Sequence, residues 1–434
     1  MDRRLRVAFV HQPWSIVRPG HAGADSVVLW TEQVARRLAR TCDVVCYSRV
    51  GDGLPAVERD AWGVEHRRVS GPIDRYLKFA FQQIDRWGLG DPRRPFFASA
   101  FAYRQFVAQV ARDVHREQPD VVHVHNFSQF LPVLREAMPD ESVLALHMHC
   151  EWLTQLDRPT VARRLESADL IIGVSDFLRD RIARAFPEHA DRCRRVYNGA
   201  DVDRFDVPDR PKAGPKQVLY VGRVSPEKGV HTLLEAFAAV ALERDDVNLA
   251  IVGPERVVPY EMIVPFSDDP KVLAMSDWFR GGGGAYGEHL RALVAALPQD
   301  RVSFPGQEVE HEELPAHYRA GDVFAFPSIW DEPFGMPPVE AMAAGLPCVA
   351  TRAGALPEVV EDGRTGLLVD RADPESLAGA ILKLCADDAL HAEMGAAARE
   401  RARAKFRWEH VAHALVHEYR SAPVRGAHPA AMTE

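Results

Sequence analysis

The sequence predicts an α/β protein with two domains, each built on a parallel sheet. The chain has 434 residues, which is more than one ordinary domain holds. Near its start, a buried strand at 5–10, a loop, a helix at 26–39 and a strand at 44–47 follow one another. This order of elements is typical of a parallel sheet. A second strand of this kind, at 217–221, follows a short polar segment rich in proline and predicts a second domain.

The composition excludes several functional classes. The net charge of −9 gives no basic field that would attract nucleic acid. No apolar run approaches the roughly 18 residues of a membrane-spanning helix. The apolar run at 7–10 is too short for a signal peptide. The six cysteines are scattered without a C-x-x-C pair, which indicates buried thiols in a reducing compartment, and we therefore expect a cytoplasmic protein.

Two short apolar strands in the first half each end in two histidines separated by one residue. The pairs are His123 with His125 and His147 with His149. Because alternate residues of a strand share a face, each pair projects to one side. Zinc sites use such geometry. No cysteine or carboxylate cluster accompanies the histidines at ligand spacing, so we expect no metal ion here. For His149, a structural role and a functional role are both open.

The predicted second domain opens with a strand that runs into a glycine and two basic residues. Arg223 and Lys228 follow Gly222 and lie five positions apart. A guanidinium offers paired hydrogen-bond donors and an ammonium offers a point charge, so the two suit a diphosphate. The residue types alone also allow two solvated charges in a turn.

A second candidate segment carries two carboxylates and a glycine turn before a helix. Glu332 and Glu340 lie eight positions apart, and Gly335 lies between them. Pro337 suits the first helical turn, where a missing N–H costs nothing. The free N–H groups and the positive dipole end of a helix start favour an anion, while carboxylates suit sugar hydroxyls. The segment predicts part of a nucleotide-sugar site, or else an ordinary helix whose glutamates face water.

Together these patterns resemble the family 4 retaining glycosyltransferases. Residues 332–340 match the E-x7-E signature of that family, residues 222–229 its G-R-x-x-x-E-K-G element, and residues 198–205 its N-G-x-D-x-x-x-F element. The resemblance implies the GT-B fold, in which two Rossmann-like domains face each other across a cleft and a C-terminal helix crosses back to the first domain. We accordingly divide the chain into a first domain at 1–207, a linker at 208–216, a second domain at 217–405, a crossover helix at 406–421 and a tail at 422–434.

The resemblance also implies roles for individual residues. Arg223 and Lys228 would stabilise the departing diphosphate, Glu332 would hold sugar hydroxyls, and His147 would line the sugar pocket. Glu340 would hold the ribose hydroxyls. The donor-binding set is completed by Gly23 in the first glycine loop, where Ala22 replaces the first glycine of the motif, by Gly306 near the nucleotide base, and by Gly335, Met336 and Pro337 at the helix start.

The implied reaction moves a sugar from a nucleoside-diphosphate-sugar to an acceptor hydroxyl or another nucleophile, with retention of configuration. We expect no cofactor besides this co-substrate, with a UDP- or GDP-sugar favoured, and no metal ion, because Arg223, Lys228 and the helix start would stabilise the leaving diphosphate in place of a metal. The acceptor could be a small molecule, a glycan or a lipid-linked molecule. Peripheral membrane contact and the oligomeric state stay open. An epimerase or hydrolase on the same fold, and a non-catalytic nucleotide-sugar-binding protein, are the alternatives.

Residues 255–285 read as an insertion. Its glycines at 282, 284 and 287 match G-x-G-x-x-G, but no strand precedes them, as a dinucleotide-binding motif requires. We therefore expect a flexible lid or an inert surface loop. This shape is similar to the spore-coat-type subgroup of the family.

Overall fold

The computed structural model describes residues 4–20, 25–74, 76, 91, 93–206, 214–281 and 284–423. The chain forms two compact units, one made of residues 1–197 and 409–434 and the other of residues 198–408. Gly23, most of the predicted linker, and residues 424–434 of the predicted tail lie outside the described residues. Within the described ranges, no helix is both long and apolar enough to cross a bilayer.

The first unit is built on an eight-stranded sheet in which every pairing except β3 with β4 is parallel. Its strands are β1 (Arg6–Val10), β2 (Asp43–Arg49), β3 (Val57–Arg59), β4 (Glu65–Val69), β5 (Val121–His125), β6 (Val143–Met148), β7 (Leu170–Gly173) and β8 (Cys193–Arg195). They lie in the order β3-β4-β2-β1-β5-β6-β7-β8. Strands β5, β6 and β7 are buried throughout, as apolar runs covered on both faces should be.

Helices cover this sheet. They lie at Ser26–Leu38, Arg104–Glu117, Leu131–Arg135, Trp152–Gln155, Arg158–Leu165, Asp176–Ala185 and Trp408–Ser421, with 3-10 turns at Phe96–Ala98, Ser128–Phe130 and Pro187–Arg192. The first helix begins after Asp25, whose carboxylate accepts the N–H groups of Val27 at 3.0 Å and Val28 at 3.2 Å. This N-cap satisfies donors that the helix itself leaves free.

The second unit is built on a six-stranded sheet that is parallel throughout. Its strands are β9 (Lys216–Val221), β10 (Val247–Val252), β11 (Val302–Ser303), β12 (Val323–Phe326), β13 (Cys348–Thr351) and β14 (Gly366–Val369), in the order β11-β10-β9-β12-β13-β14. Its helices lie at Val202–Phe205, Val230–Glu243, Pro270–Leu273, Ser276–Arg280, Gly284–Ala295, Leu314–Ala320, Met336–Ala343, Leu356–Val359, Pro374–Ala386 and Asp388–Lys405, with 3-10 turns at Pro226–Lys228, Tyr260–Met262 and Val264–Phe266. Two parallel-sheet α/β units confirm the predicted fold class.

The boundary of the units differs from the predicted domain end at residue 207, because residues 198–206 lie in the second unit. The N–H of Ala200 donates to the carbonyl of Phe406 at 2.7 Å, and the ring of Phe205 packs edge-on against Tyr318 with centroids 5.4 Å apart. These contacts, made with residues far along the chain, attach Ala200 and Phe205 to the second unit.

Candidate active site

Each sheet has one pair of neighbouring strands at which the strand order reverses, so that the chain adds later strands on the opposite side of the sheet. In the second unit this point lies between β9 and β12, and in the first between β1 and β5. Open parallel sheets bind ligands at the carboxyl ends of the strands at such a point. We therefore expect a functional site among the residues that follow β9 and β12, and another at the ends of β1 and β5.

In the second unit, the segments after β9 and β12 touch each other. Gly229, at φ 70°, ends the turn Pro226–Lys228, and a side chain there would bring its Cβ within 2.0 Å of the carbonyl oxygen of Pro327. Only glycine permits both this left-handed backbone and this approach. The close packing sets Lys228 beside the segment that carries Glu332.

Lys228 and Glu332 form the centre of this site. The Lys228 ammonium lies 2.6 Å from Glu332 Oε1, and the same oxygen accepts the Ser328 hydroxyl at 2.7 Å and the Trp330 indole N–H at 2.9 Å. Burial alone would raise the pKa of Glu332, but the attraction of Lys228 and the three hydrogen bonds outweigh it, so the pKa lies below its usual value. Glu332 is thus a fixed carboxylate at neutral pH, although only 4% of it is exposed.

Arg223 is held by Glu227, to which the G-R-x-x-x-E-K-G motif assigns no role. The guanidinium Nη2 lies 2.6 Å from Glu227 Oε1, the Ser225 hydroxyl donates to the other carboxylate oxygen, and Glu227 is completely buried. The Glu227 carbonyl accepts the N–H of Ile329 at 2.8 Å, so it also joins the two segments. The buried Nε of Arg223 has no hydrogen-bond partner among the described residues. A buried donor of this kind is expected to meet a ligand.

Glu340 has different surroundings from Glu332. Its Oε2 accepts the Tyr318 hydroxyl at 2.9 Å, and it is 4% exposed. Burial raises the pKa of Glu340, while the charge of His311, the Tyr318 hydrogen bond and the charge of Arg204 oppose the rise without cancelling it. The two signature glutamates are both buried, but one is held charged by a lysine and the other is shifted towards its protonated form.

The helix Met336–Ala343 begins at Gly335, whose φ of 100° places it in the left-handed region. A Cβ on Gly335 would lie 2.8 Å from Leu356 Cδ2, so this position accepts only glycine without a shift. Pro337 and Pro338 occupy the first turn and carry no N–H. The N–H donors that we predicted at this helix start are therefore limited, in the first positions, to those of Gly335 and Met336.

The insertion after β10 is a packed element, which corrects the expectation of a flexible lid or an inert loop. Its short helices bury a small apolar core against Ile329, formed by Ile263, Val264, Val272, Met275 and Phe279. Arg371 links the two parts, with Nη1 2.5 Å from Asp269 Oδ2 and 3.0 Å from the Ile329 carbonyl. Gly306, which we predicted near the base, lies at φ 65° beside the insertion and accepts the N–H of Glu255 at 3.4 Å. The insertion thus supports the segment that carries Trp330 and Glu332.

In the first unit, the equivalent strand ends carry a cluster of histidines. His123, His125 and His147 are fully buried. Two hydrogen-bonded chains run through the cluster. One joins the Tyr419 hydroxyl to His123 Nδ1 at 2.7 Å and His123 Nε2 to His147 Nδ1 at 3.2 Å. The other joins the Thr31 hydroxyl to His125 Nε2 at 3.0 Å and His125 Nδ1 to His149 Nε2 at 3.0 Å.

Burial keeps these rings neutral. It lowers the pKa of His123, His125 and His147 well below the ordinary value, with a smaller contribution from neighbouring histidines, and lowers that of His149 to about 3. Neutral imidazoles can bind zinc, and one ring nitrogen from each of the first three lies within 4.8 Å of the others. The described residues add no carboxylate or cysteine to this group. The histidine–histidine and hydroxyl–histidine hydrogen bonds already account for most of these nitrogens.

A cavity of about 290 Å³ lies in the first unit at the carboxyl ends of β1, β2 and β4. Its walls include Pro13, Trp14, Arg49, Asp74, Tyr103 and Phe106. Asp74 is committed to the helix Arg104–Glu117, since its carboxylate accepts the N–H groups of Gln105 and Phe106 at 3.0 and 2.9 Å. The Arg49 guanidinium has no ion pair among the described residues, so it is a cation available to a bound molecule.

The chain is similar to known glycosyltransferases over most of its length. The family described as "Glycosyltransferase Family 4" matches residues 27–204, and that described as "Glycosyl transferases group 1" matches residues 202–401. The spore coat protein SA of Bacillus subtilis is 30% identical over 329 residues, which cover 71% of this chain and 80% of that protein. A D-inositol 3-phosphate glycosyltransferase of Geodermatophilus obscurus is 30% identical over 453 aligned residues, covering 97% and 90%. The crystal structure of Anabaena HepE in complex with UDP-glucose superposes with a TM-score of 0.67 at 20% identity, covering 96% of this chain and 100% of that chain.

Proposed function

This chain belongs to the family 4 glycosyltransferases, and we propose that it transfers a sugar from a nucleoside diphosphate to an acceptor hydroxyl, with retention of configuration and without a metal ion. It is a glycosyltransferase with the GT-B fold. The observation that carries the proposal is the group formed by the buried Glu332 and the partly buried Arg223 and Lys228 at the switch point of the second sheet. Two cations and a charged carboxylate in one place suit a diphosphate joined to a polyhydroxylated sugar.

The two cations act on the leaving group. In the transfer, the bond from the anomeric carbon to the diphosphate oxygen breaks, a bond to the acceptor oxygen forms, and the acceptor proton passes to the leaving phosphate. Negative charge grows on the diphosphate as the first bond breaks. Lys228 and the free Nε of Arg223 stabilise this charge in a site that is largely shielded from water. In this role they replace a divalent metal.

Glu332 acts on the sugar. Its three donors all reach Oε1, so Oε2 is the atom that accepts a sugar hydroxyl. Because its pKa is lowered, the carboxylate stays charged and is a strong acceptor at neutral pH. Glu340, with Tyr318 on one oxygen, holds the ribose hydroxyls, and Gly335 and Met336 supply N–H groups. The complex of Anabaena HepE with UDP-glucose supports a nucleotide-sugar as donor, and we favour UDP- or GDP-sugars.

The cavity of the first unit takes the acceptor. Trp14 and Tyr103 offer ring faces for a sugar or polyol, and Arg49 offers a cation for an anionic group. A relative named for D-inositol 3-phosphate supports an acceptor of this phosphorylated polyol type. Replacing Arg49 with Gln should raise the KM for such an acceptor about 10-fold or more and leave the KM for the donor unchanged. An equal rise for both substrates would contradict this placement.

Product analysis with labelled nucleotide-sugars tests the function as a whole. A panel of UDP-, GDP-, ADP- and dTDP-sugars in a thermal-shift assay first identifies the donor, since a ligand of the folded state raises Tm. Transfer requires that nucleotide release depends on the acceptor and that the product keeps the anomeric configuration of the donor. Release without an acceptor would indicate a hydrolase, an altered sugar would indicate an epimerase, and binding without turnover would indicate a binding protein.

A further inference from the structure

Tyr103 combines an unusual backbone conformation with a place in the wall of the cavity of the first unit. Its φ of 56° and ψ of 31° lie in the left-handed region, which is rare for a bulky residue. Among the described residues, Gln118, Asn126 and Ala372 are the other non-glycine residues with positive φ. Asparagine tolerates this region, and Gln118 ends a helix, where the left-handed conformation is common. Neither reason applies to Tyr103.

The start of the helix Arg104–Glu117 does not require a tyrosine either. The residue before a helix usually has an extended backbone and a short side chain that accepts helix N–H groups. Tyr103 makes no such bond. Asp74 caps this helix instead, since its carboxylate accepts the N–H groups of Gln105 at 3.0 Å and Phe106 at 2.9 Å. A strained residue without a role in the local structure is a candidate for a functional role.

The side chain of Tyr103 offers the cavity a free hydroxyl. Its ring packs edge-on against Trp14 and Phe127, with centroids 6.1 and 5.9 Å away. The hydroxyl has no hydrogen-bond partner in the part of the chain that the structure describes. Burial raises the pKa of Tyr103 to about 12, with the charge of Asp74 adding to the rise and that of Arg49 opposing it. The phenol therefore keeps its proton at neutral pH and can donate a hydrogen bond.

Arg49 is a second free donor in the wall of the same cavity. It lies at the end of β2, and its charge lowers the pKa of Tyr103, as a neighbouring cation does. The carboxylate of Asp74 also lines the cavity, but two helix N–H groups and the positive end of the helix offset its charge. A free guanidinium and a free phenol together suit the oxygens of one phosphate group.

We propose that Tyr103 is a specificity-determining residue, and that its hydroxyl and the Arg49 guanidinium together bind the phosphate of a small phosphorylated polyol. The left-handed backbone places the phenol on the cavity wall. The volume of about 290 Å³ is near the lower end for ligand sites and suits one polyol ring rather than a polymer. The inference rests on the proposed function, because it takes this cavity as the acceptor site. Phosphate binding itself does not depend on sugar transfer.

Calorimetric titration of the full chain, without a nucleotide-sugar, tests this subsite. The probes are D-inositol 3-phosphate, inositol and inorganic phosphate. Tyr103→Phe should raise the Kd of the phosphate ester about 10-fold or more, because a hydrogen bond to a charged group is lost, and should leave the weaker binding of inositol unchanged. Arg49→Gln should act in the same way. The double variant should lose less than the product of the two single losses, since both side chains contact one group.

Three results would overturn the proposal. They are an unchanged Kd of the ester in Tyr103→Phe, an equal rise for the ester and inositol, and a wild type that binds neither the ester nor inorganic phosphate. Phosphatidylcholine vesicles that contain phosphatidylinositol test a lipid head group as the source of the phosphate, and binding of these vesicles alone would overturn a small soluble ligand. Binding of the ester without any sugar transfer would instead refute the proposed function and leave the subsite in place.

Paired substitutions test the strain at Tyr103. Tyr103→Ala and Tyr103→Gly both remove the ring, but glycine adopts the left-handed backbone without strain. The glycine variant should therefore unfold at a higher urea concentration than the alanine variant, and both should lose the ester. The matched control is Gln118→Gly against Gln118→Ala, at the other end of the same helix, and both of these should bind the ester as the wild type does. Equal urea midpoints for the two Tyr103 variants would show an unstrained backbone and overturn the assignment.

Discussion

Both units carry their functional groups at the carboxyl ends of central strands, but these groups are charged in the second unit and neutral in the first. In the second unit, the buried Glu332 keeps its charge because the Lys228 ammonium lies beside it and three hydrogen bonds reach the carboxylate. In the first unit, His123 and His147 are buried as neutral rings joined by hydrogen bonds. One common topology thus supports a charged site and an uncharged one. The strand order provides the place, and the side chains at the strand ends decide the chemistry.

Loss of a charge in the second unit should have the largest effect. Lys228→Ala and Arg223→Ala should each lower kcat about 10²–10³-fold, because each removes a group that stabilises the leaving diphosphate. The control is Lys216→Ala, which breaks an ion pair with Asp388, itself 88% exposed in its side chain. Steady-state rates and urea unfolding should be measured on all three.

Lys228→Ala also leaves the buried Glu332 carboxylate without its cation, which should destabilise the folded state. The effect on stability must therefore be measured separately from the effect on activity. The double variant Lys228→Ala, Glu332→Gln removes that charge and should recover stability but not activity. If activity returned with stability, Lys228 would be a structural ion-pair partner, and the assignment to the diphosphate would be wrong.

The two buried glutamates should change stability with pH in opposite directions. The lowered pKa of Glu332 stabilises the folded state above the unfolded pKa, and this contribution is lost as pH falls through the folded value. The raised pKa of Glu340 makes folding less favourable as pH rises from the unfolded value to the folded one. Each effect is worth about 1.4 kcal/mol per unit of pKa difference.

Urea unfolding between acidic and neutral pH measures this difference. Glu332→Gln should flatten the gain in stability with rising pH, and Glu340→Gln should make that gain steeper. Similar curves for the two variants would show that the glutamates share one kind of environment, contrary to their partners in the structure.

A smaller effect should follow from Trp330→Phe. The indole donates to Glu332, and Lys228 Nζ lies 5.0 Å from its ring centroid, so phenylalanine keeps a ring and loses the N–H. We expect kcat/KM to fall about 3- to 10-fold. Trp62→Phe, at a partly exposed position of the first unit, is the control and should leave kcat/KM unchanged. A loss as large as that of Lys228→Ala would mean that Trp330 contacts the substrate itself.

Removal of metal ions should have no effect. If neutral histidines act only through hydrogen bonds, the rate in a strong chelator equals the rate without it. A loss that zinc restores would instead identify His123, His125 and His147 as ligands of an ion, and it would make the first unit the charged one of the two.

Much of the fold could be predicted because the strands are apolar runs of ordinary length. The helix at 26–39 was predicted within one residue of Ser26–Leu38, and the histidine pairs were placed on strands that the structure contains. The Lys228 and Glu332 segments were found through their sequence signatures. That these two residues form an ion pair depends on the pairing of β9 with β12, which no local pattern reveals.

The rest depended on contacts between distant parts of the chain. No local pattern marks Glu227 or Trp330, because their roles depend on burial and on hydrogen bonds that form only in the fold. The insertion looked loose because its apolar residues have no regular period, yet they bury a common core on Ile329. Tyr419 lies 296 positions from His123, so its hydroxyl could not be linked to the histidines by spacing.

That separation also has a consequence for biosynthesis. The helix that carries Tyr419 leaves the ribosome only after the whole second unit, whose roughly 200 residues take on the order of 10–40 s to translate. Until then, the nascent first unit holds its histidines without their phenol. A ribosome-bound chain halted before residue 409 should therefore lack the hydrogen bond between Tyr419 and His123, however long it is kept. Addition of the missing helix as a separate peptide tests whether this contact can still form.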